Sequence, residues 1–360
     1  LEESVLGRMF IDMAGKDPKE VYQAVEANSL GLSEAQPLQT REEGMNAMLA
    51  GNLLLLVEGY DKGLKIGSKG YPARSVNNTD TEKVLRGSNE GFTESVKTNT
   101  ALIRKRIRST DMKVEELTAG VRSNTRLVLI YMKELVYPEV LEQIRRGIDQ
   151  FVIDGVLDSG IIEQLTEEDW VSPFPQFQTT ERPDLAAMEV LDGRVVLLCD
   201  NSPVALLLPS VFQDFMNVTE DRYNRFEIAS FERVIRYEAM IFSFLLSGTY
   251  LAVIGFHTMI LPTNLILSFA ESRQGVPFPS LLEVLFMELA FELIREAGIR
   301  MPGALSGTIG IVGGLIIGDA AVSANLVSPM AVVIVALSAL SSFAIPNEEC
   351  TSAFRLIKYG

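Results

Sequence analysis

Apolar and polar positions change character near residue 236. Before it, apolar residues come in short runs separated by turns. The spacing predicts a helix over 17–30, with Pro18 near its start, a polar loop over 31–41 and a short helix over 42–50 ending at Gly51. Leu53–Val57 is a continuous apolar strand. A turn from Gly59 to Gly63 and a returning strand, Leu64–Ile66, make a hairpin. A loop covers Gly70 to Thr81. A helix with a basic end follows over Phe92–Ile107, and then come strands at Lys113–Leu117 and Arg126–Met132. Pro138 opens a helix to Ile148, Phe151–Ile153 reads as a further strand, a helix lies near 158–165, and Trp170–Pro175 is a loop.

Within this region the chain repeats itself. The run Gly51-Asn52-Leu53-Leu54-Leu55-Leu56-Val57-Glu58-Gly59 aligns with Gly193-Arg194-Val195-Val196-Leu197-Leu198-Cys199-Asp200-Asn201. Each follows a short amphipathic helix (42–50 and 184–191), and each precedes a turn and a second apolar strand, Leu64–Ile66 or Val204–Leu208. The match is either a duplicated unit or a chance likeness of two hairpins. Both readings predict an α/β region of two small subdomains with mixed sheets, residues 1–110 and 111–215.

A basic amphipathic linker helix over 216–237 leads into long apolar runs that predict an all-α, multi-pass membrane domain over 238–360. Ala239–Leu261 has 23 residues and no charge, enough to span a hydrocarbon core of roughly 30 Å. Phe278–Ala297 is helical but interrupted by four glutamates, so it either crosses or lies in the interface. Gly303–Val327 is uncharged except for Asp319, and Met330–Ile345 is the last run, giving spans near 239–261, 278–297, 303–327 and 330–345. Arg222–Arg236, Arg295 with Arg300, and Arg355 with Lys358 all fall on one side if all four cross. That places the N-terminal region in the cytoplasm.

Charge follows the same division. The 360 residues carry a net charge of −15, and the mean hydropathy is +0.19. Residues 1–236 hold 38 acidic and 27 basic residues, and the apolar remainder nine and five. An acidic front disfavours nucleic-acid binding. Two cysteines and one histidine leave no disulfide framework, His/Cys metal cluster or Ser-His-Asp triad. No P-loop or dinucleotide fingerprint is present, so neither an enzyme nor a cofactor is expected. The start at Leu1 without a signal peptide reads as an internal fragment, truncated at both ends.

Candidate chemistry concentrates in the apolar part. Gly303, Gly307, Gly310, Gly314 and Gly318, continued by Ala321 and Asn325, fall within roughly 60° on one helix face. Such a stripe lets another helix approach closely, either within one subunit or between subunits around a narrow pore. Asp319 lies on the opposite side, at membrane depth or near the outer interface. Glu288, Glu292 and Glu296 share one face. In a ring of subunits they would line a cation path; otherwise they would be solvated or paired with Arg295 and Arg300. His257 reads as a packing or interface residue. Arg104-Lys105-Arg106 with Arg108 is either a solvated helix end or a contact for anionic lipid or a partner.

Three blocks of residues resemble the A subunit of the GerA-type spore germinant receptors. They are Thr81–Gly87 with Gly91–Glu94 and Asn99–Arg104; Thr180–Asp184 with the 192–208 hairpin; and Ser272–Pro279, Glu292–Gly298, Gly310–Gly314 and Gly318–Pro329. The resemblance covers about residue 45 to the end. It departs at Ser88-Asn89, where the family has Pro and a basic residue, and over Asn347–Cys350. It implies a multi-pass protein of the spore inner membrane that helps trigger germination in response to nutrients. The implied partners are a B-type subunit resembling amino-acid transporters, a C-type lipoprotein subunit, membrane lipid, and further copies of the chain forming an oligomeric cation channel. Alternatives are a sporulation-specific paralogue associated with dipicolinate release, or a non-conducting scaffold coupling a sensor to another channel.

Overall fold

A computed structural model describes residues 15–26, 35–49, 52–66, 82, 87–167, 169, 171–300, 314 and 317–359. The chain divides into two compact units, residues 1–170 with 176–210, and residues 171–175 with 211–360.

The first unit is α/β. Its elements are α1 (Pro18–Glu26), β1 (Ala35–Leu38), α2 (Arg41–Leu49), β2 (Leu53–Leu56), β3 (Gly63–Ile66), α3 (Val96–Arg106), β4 (Met112–Ala119), β5 (Thr125–Met132), α4 (Pro138–Asp149), α5 (Ser159–Thr166), β6 (Gln178–Thr180), α6 (Pro183–Leu191), β7 (Val195–Cys199) and β8 (Ala205–Leu208). They make two sheets, β1-β3-β2 and β4-β5-β7-β8-β6.

Every paired neighbour among the described strands is antiparallel, so the expectation of mixed sheets is corrected. The physical reason lies in the connections. A helix joins β1 to β2 and β6 to β7, as in a parallel crossover. In each case the return strand of the following hairpin inserts between the two, and both hydrogen-bond to it instead. The internal repeat is therefore also structural, and one strand longer than the sequence suggests: a strand, a helix and a hairpin, with the first strand on the hairpin's outer edge. Leu53 faces Ile66 in one copy and Val195 faces Leu208 in the other.

The five-stranded sheet is buried on both faces, which explains the uninterrupted apolar runs of β5, β7 and β8. Val128, Ile130, Val196, Leu198 and Leu207 point to one side, into a core with Leu102 and Ile103 of α3 and Ala186 and Val190 of α6. Leu127, Leu129, Val195, Leu197 and Leu206 point to the other, against Leu141 and Ile148 of α4 and Ile162 of α5. Helix α3, placed by the sequence in residues 1–110, thus packs on the sheet of the following region. It begins at Val96 rather than Phe92, and Val96 N donates to Asp200 Oδ1 from the β7–β8 turn at 3.1 Å. Phe151–Ile153 is not a strand. It lies along the β4–β5 turn, where Val121 N donates to Ile153 O.

In the second unit, two 3₁₀ turns (Phe212–Met216 and Thr219–Arg222) occupy the start of the expected linker helix, and its residues 226–237 are the first turns of the next helix. Then come α7 (Phe226–Phe256), a 3₁₀ turn (Thr258–Ile260), α8 (Thr263–Ser272), α9 (Ser280–Arg300), a helical stretch over 317–323, α10 (Pro329–Phe343) and α11 (Glu348–Tyr359). Helix α7 starts 13 residues before the expected span because its first turns are fixed by ion pairing. Arg236 is bound by Asp221, and Arg236 Nη1 donates to Met216 O at 2.5 Å. The helix ends at Phe256, and His257 caps it, exposed, so the packing expected of His257 is not found within this chain's described residues.

Among the described helices, α7 alone is long and apolar enough to cross a membrane, and 22% of its most apolar stretch is buried. Its buried face carries Ala229, Ala239, Ser243, Ser247 and Tyr250. These mostly small residues let α10 approach closely, and Ser338 Oγ donates to Ser243 O at 2.9 Å. Ile228, Phe231, Ile235, Phe242 and Leu245 are exposed. Helix α10 is apolar but only 15 residues long, and α9, at 21, carries Glu283, Glu288, Glu292, Glu296, Arg295 and Arg300. Most of the expected 303–327 span lies outside the described residues.

Candidate functional site

Helix α9 presents carboxylates at positions 283, 288, 292 and 296, and the first three meet cations from other segments. Glu283 is 1% exposed. One of its oxygens accepts from Arg273 Nη2 at 3.1 Å and Nε at 3.3 Å, and the other accepts from Ser328 N at 2.9 Å. It therefore ties the end of α8 to the capping residue of α10. Glu288, 4% exposed, lies 2.7 Å from Lys358 Nζ. Glu292 accepts from Arg355 Nη1 at 3.0 Å. Both cations belong to α11, whose Phe354 is anchored by stacking on Phe244 at 5.2 Å. Glu296 is exposed.

Of the two cations the sequence offers these glutamates, Arg295 and Arg300, Arg295 feels the Glu292 charge but makes its contacts elsewhere. Its guanidinium sits 5.2 Å over the Phe343 ring and 3.5 Å from Ser342 Oγ. The partners at 355 and 358 were marked in the sequence only as topology-setting charges. Nothing in local spacing links them to α9, since 63 residues separate Glu292 from Arg355. Glu283 was missed for the same reason.

Of the glycine stripe, Gly303, Gly307 and Gly310 lie outside the described residues. Gly314 is exposed, with nothing within 4 Å of where a Cβ would stand. Gly318 is buried, and a Cβ there would meet Val332 Cγ1 of α10 at 3.7 Å. Asp319 is exposed. Among the described residues, no group of three or more His, Cys, Asp or Glu side chains is placed to hold a metal ion.

In the first unit, the basic end of α3 is partly neutralised. Glu90 accepts from Lys105 Nζ at 2.7 Å and from Arg106 Nη2 at 2.7 Å. Two of the sequence blocks singled out above meet here. Glu82 accepts from Thr180 Oγ1 at 2.7 Å and Glu181 N at 3.0 Å, and Arg182 Nη1 donates to Glu82 O at 3.1 Å. Burial raises the Glu82 pKa above the ordinary carboxylate value against those two hydrogen bonds. Burial also pushes the Cys199 thiol up to about 12, which leaves it without thiolate character at neutral pH.

A family profile described as "Bacillus/Clostridium GerA spore germination protein" matches residues 1–360. "Spore germination protein GerLA" of Bacillus cereus is 37% identical over 339 residues, 94% of this chain and 69% of that protein. "Spore germination protein KA" of Bacillus subtilis is 35% identical over 359 residues, 100% of this chain and 66% of that protein. "Uncharacterized membrane protein YfkQ" of Bacillus subtilis is 39% identical over 332 residues, 92% of this chain and 65% of that protein. The crystal structure of the N-terminal domain of the A subunit of the Bacillus megaterium spore germinant receptor GerK3 aligns with a TM-score of 0.41 at 27% identity, covering 56% of this chain and 71% of that one. The chain belongs to the GerA family of spore germination proteins, and it spans about two thirds of the length of these curated relatives.

Proposed function

We propose that this chain is the A-type subunit of a nutrient germinant receptor, held in the spore inner membrane by α7 and neighbouring helices, with its α/β unit in the cytoplasm. It assembles with further copies of itself, a B-type transporter-like subunit and a C-type lipoprotein subunit. On stimulation the assembly conducts monovalent cations along a path that includes Glu288 and Glu292, with Glu296 and Asp319 at its wetter ends. The glycines at 303, 307, 310, 314 and 318 provide close helix contacts around it. One observation carries the reading: a helix beside the apolar α7 buries carboxylates in the part of the protein that exposes the most apolar side chains. Carboxylates at such a position are costly and favour cations.

The test is potassium flux through the full-length protein in liposomes. The Glu288→Gln, Glu292→Gln double variant is expected to lower flux at least tenfold. Flux unchanged by the double variant, or none from the wild type under germinant, would remove the channel assignment. The ion pairs to Lys358 and Arg355 favour a second reading, a non-conducting scaffold, because they neutralise two of the carboxylates within the chain. A scaffold predicts loss of germination on deletion without any flux from the isolated subunit.

A further inference from the structure

The carboxylate of Glu288 opens into a cavity of about 20 Å³ between α7, α9, α10 and the last turn of α11. That volume holds a single water-sized occupant. Its polar walls are the Glu288 carboxylate, the Ser338 and Ser342 hydroxyls and, behind Ser338, the Ser243 carbonyl, with the Glu292–Arg355 ion pair and Tyr359 at its edge. The Lys358 ammonium reaches in from α11, donating to Ser338 Oγ at 2.8 Å and standing 2.7 Å from Glu288 Oε1. The contact with Glu288 is short but poorly aligned, and Oε1 receives no hydrogen bond. A carboxylate this buried, with one oxygen aimed into a polar cavity and lacking a hydrogen bond, has ligating capacity that its present partner does not use.

We infer that this cavity is a monovalent-cation site, and that Lys358 is its tethered occupant, which must withdraw before a free cation can enter. The charge count supports a monovalent ion. Arg355 holds Glu292, so the withdrawal of Lys358 leaves one uncompensated negative charge. The ligands are one carboxylate with hydroxyl and carbonyl oxygens. An ammonium is a compact single charge, and it stands at the cavity wall beside the carboxylate that such an ion would meet. Helix α11 has a separate anchor, since Phe354 stacks on Phe244 and meets Phe174 edge-on at 5.3 Å. Its last turn therefore leaves the cavity without the helix undocking. The inference rests on the cation-path reading of Glu288 and adds how that path is kept shut.

Two readouts on the full-length protein in liposomes separate the inference from the reading beneath it. Without stimulus, Lys358→Met is expected to raise potassium flux at least tenfold, and adding Glu288→Gln is expected to cancel the rise. In parallel, Ser338→Cys is probed with 2-aminoethyl methanethiosulfonate, with the buried Cys199 and Cys350 of the wild type giving the background. Lys358→Met is expected to raise the modification rate at position 338 at least tenfold. A rate unchanged by Lys358→Met overturns the tethered-cation inference, even if Glu288→Gln still lowers stimulated flux and so upholds the cation path. A raised rate with no flux from any variant upholds the site and removes the channel. Lys358→Gln replaces Lys358→Met if the latter does not accumulate.

Discussion

Glu90 accepts from Lys105 and Arg106 at the basic end of α3, and those bonds hold its carboxyl below the ordinary value, the Lys105 hydrogen bond most of all. A lowered carboxylate pKa contributes stability that is fully present above the unfolded value of about 4.3 and is lost as pH falls through the folded value. The side chain is about a third exposed, so solvent limits the gain to about 0.5–1 kcal/mol. Glu90→Gln is expected to lower the Tm at pH 7 by that equivalent, with the gap closing as the pH is lowered toward 3. An undiminished gap at pH 3 would show that the effect is not electrostatic. The sequence showed the cationic cluster at 104–108 without its acid, because the loop that brings Glu90 back has no periodicity to place it. Glu288 and Lys358 repeat the lesson on a larger scale: the acid was marked as a candidate, and the base that holds it was read only as a topology signal.

Strands and helices were legible where burial wrote a continuous pattern. β5, β7 and β8 are covered on both faces, so their apolar runs stood out. β1 and β6 did not, and for different reasons. β1 contains Pro37, which an edge strand tolerates because it needs no ladder donor there, and β6 is the three-residue polar strand Gln178–Thr180. The apolar run Phe151–Ile153 misled in the opposite direction, since Phe151 and Val152 are exposed. Burial also ranks the hairpins. Leu198 in β7 is 1% exposed, whereas Leu56 in β2, its counterpart in the other repeat, is 70% exposed. Leu198→Ala is expected to cost about 2–5 kcal/mol, and Leu56→Ala to stay within about 0.5 kcal/mol, by chemical denaturation of the protein. Equal costs would mean that the outer face of the three-stranded sheet is covered in solution.

At the scale of the whole molecule, composition located the change from a charged α/β unit to an apolar helical one, and hydropathy found α7. Beyond α7 the described helices differ in character: α9 is acidic, and α10 has 15 residues. Leu245, exposed midway along α7, offers a test of what covers that helix. In a hydrocarbon environment, Leu245→Arg is expected to disfavour insertion of residues 226–256 by about 2.5–3.5 kcal/mol, read by glycosylation mapping in microsomes. Insertion equal to the wild type would place this face against protein or water. The ion pairs of α9 also bear on how the molecule is made. Arg273 precedes the helix in the chain, but Arg355 and Lys358 follow it by a long interval. As α9 leaves the ribosome, Glu283 already has its cation while Glu288 and Glu292 do not. The helix therefore emerges before the partners of Glu288 and Glu292 exist, and those two pairs close only after synthesis has passed Lys358.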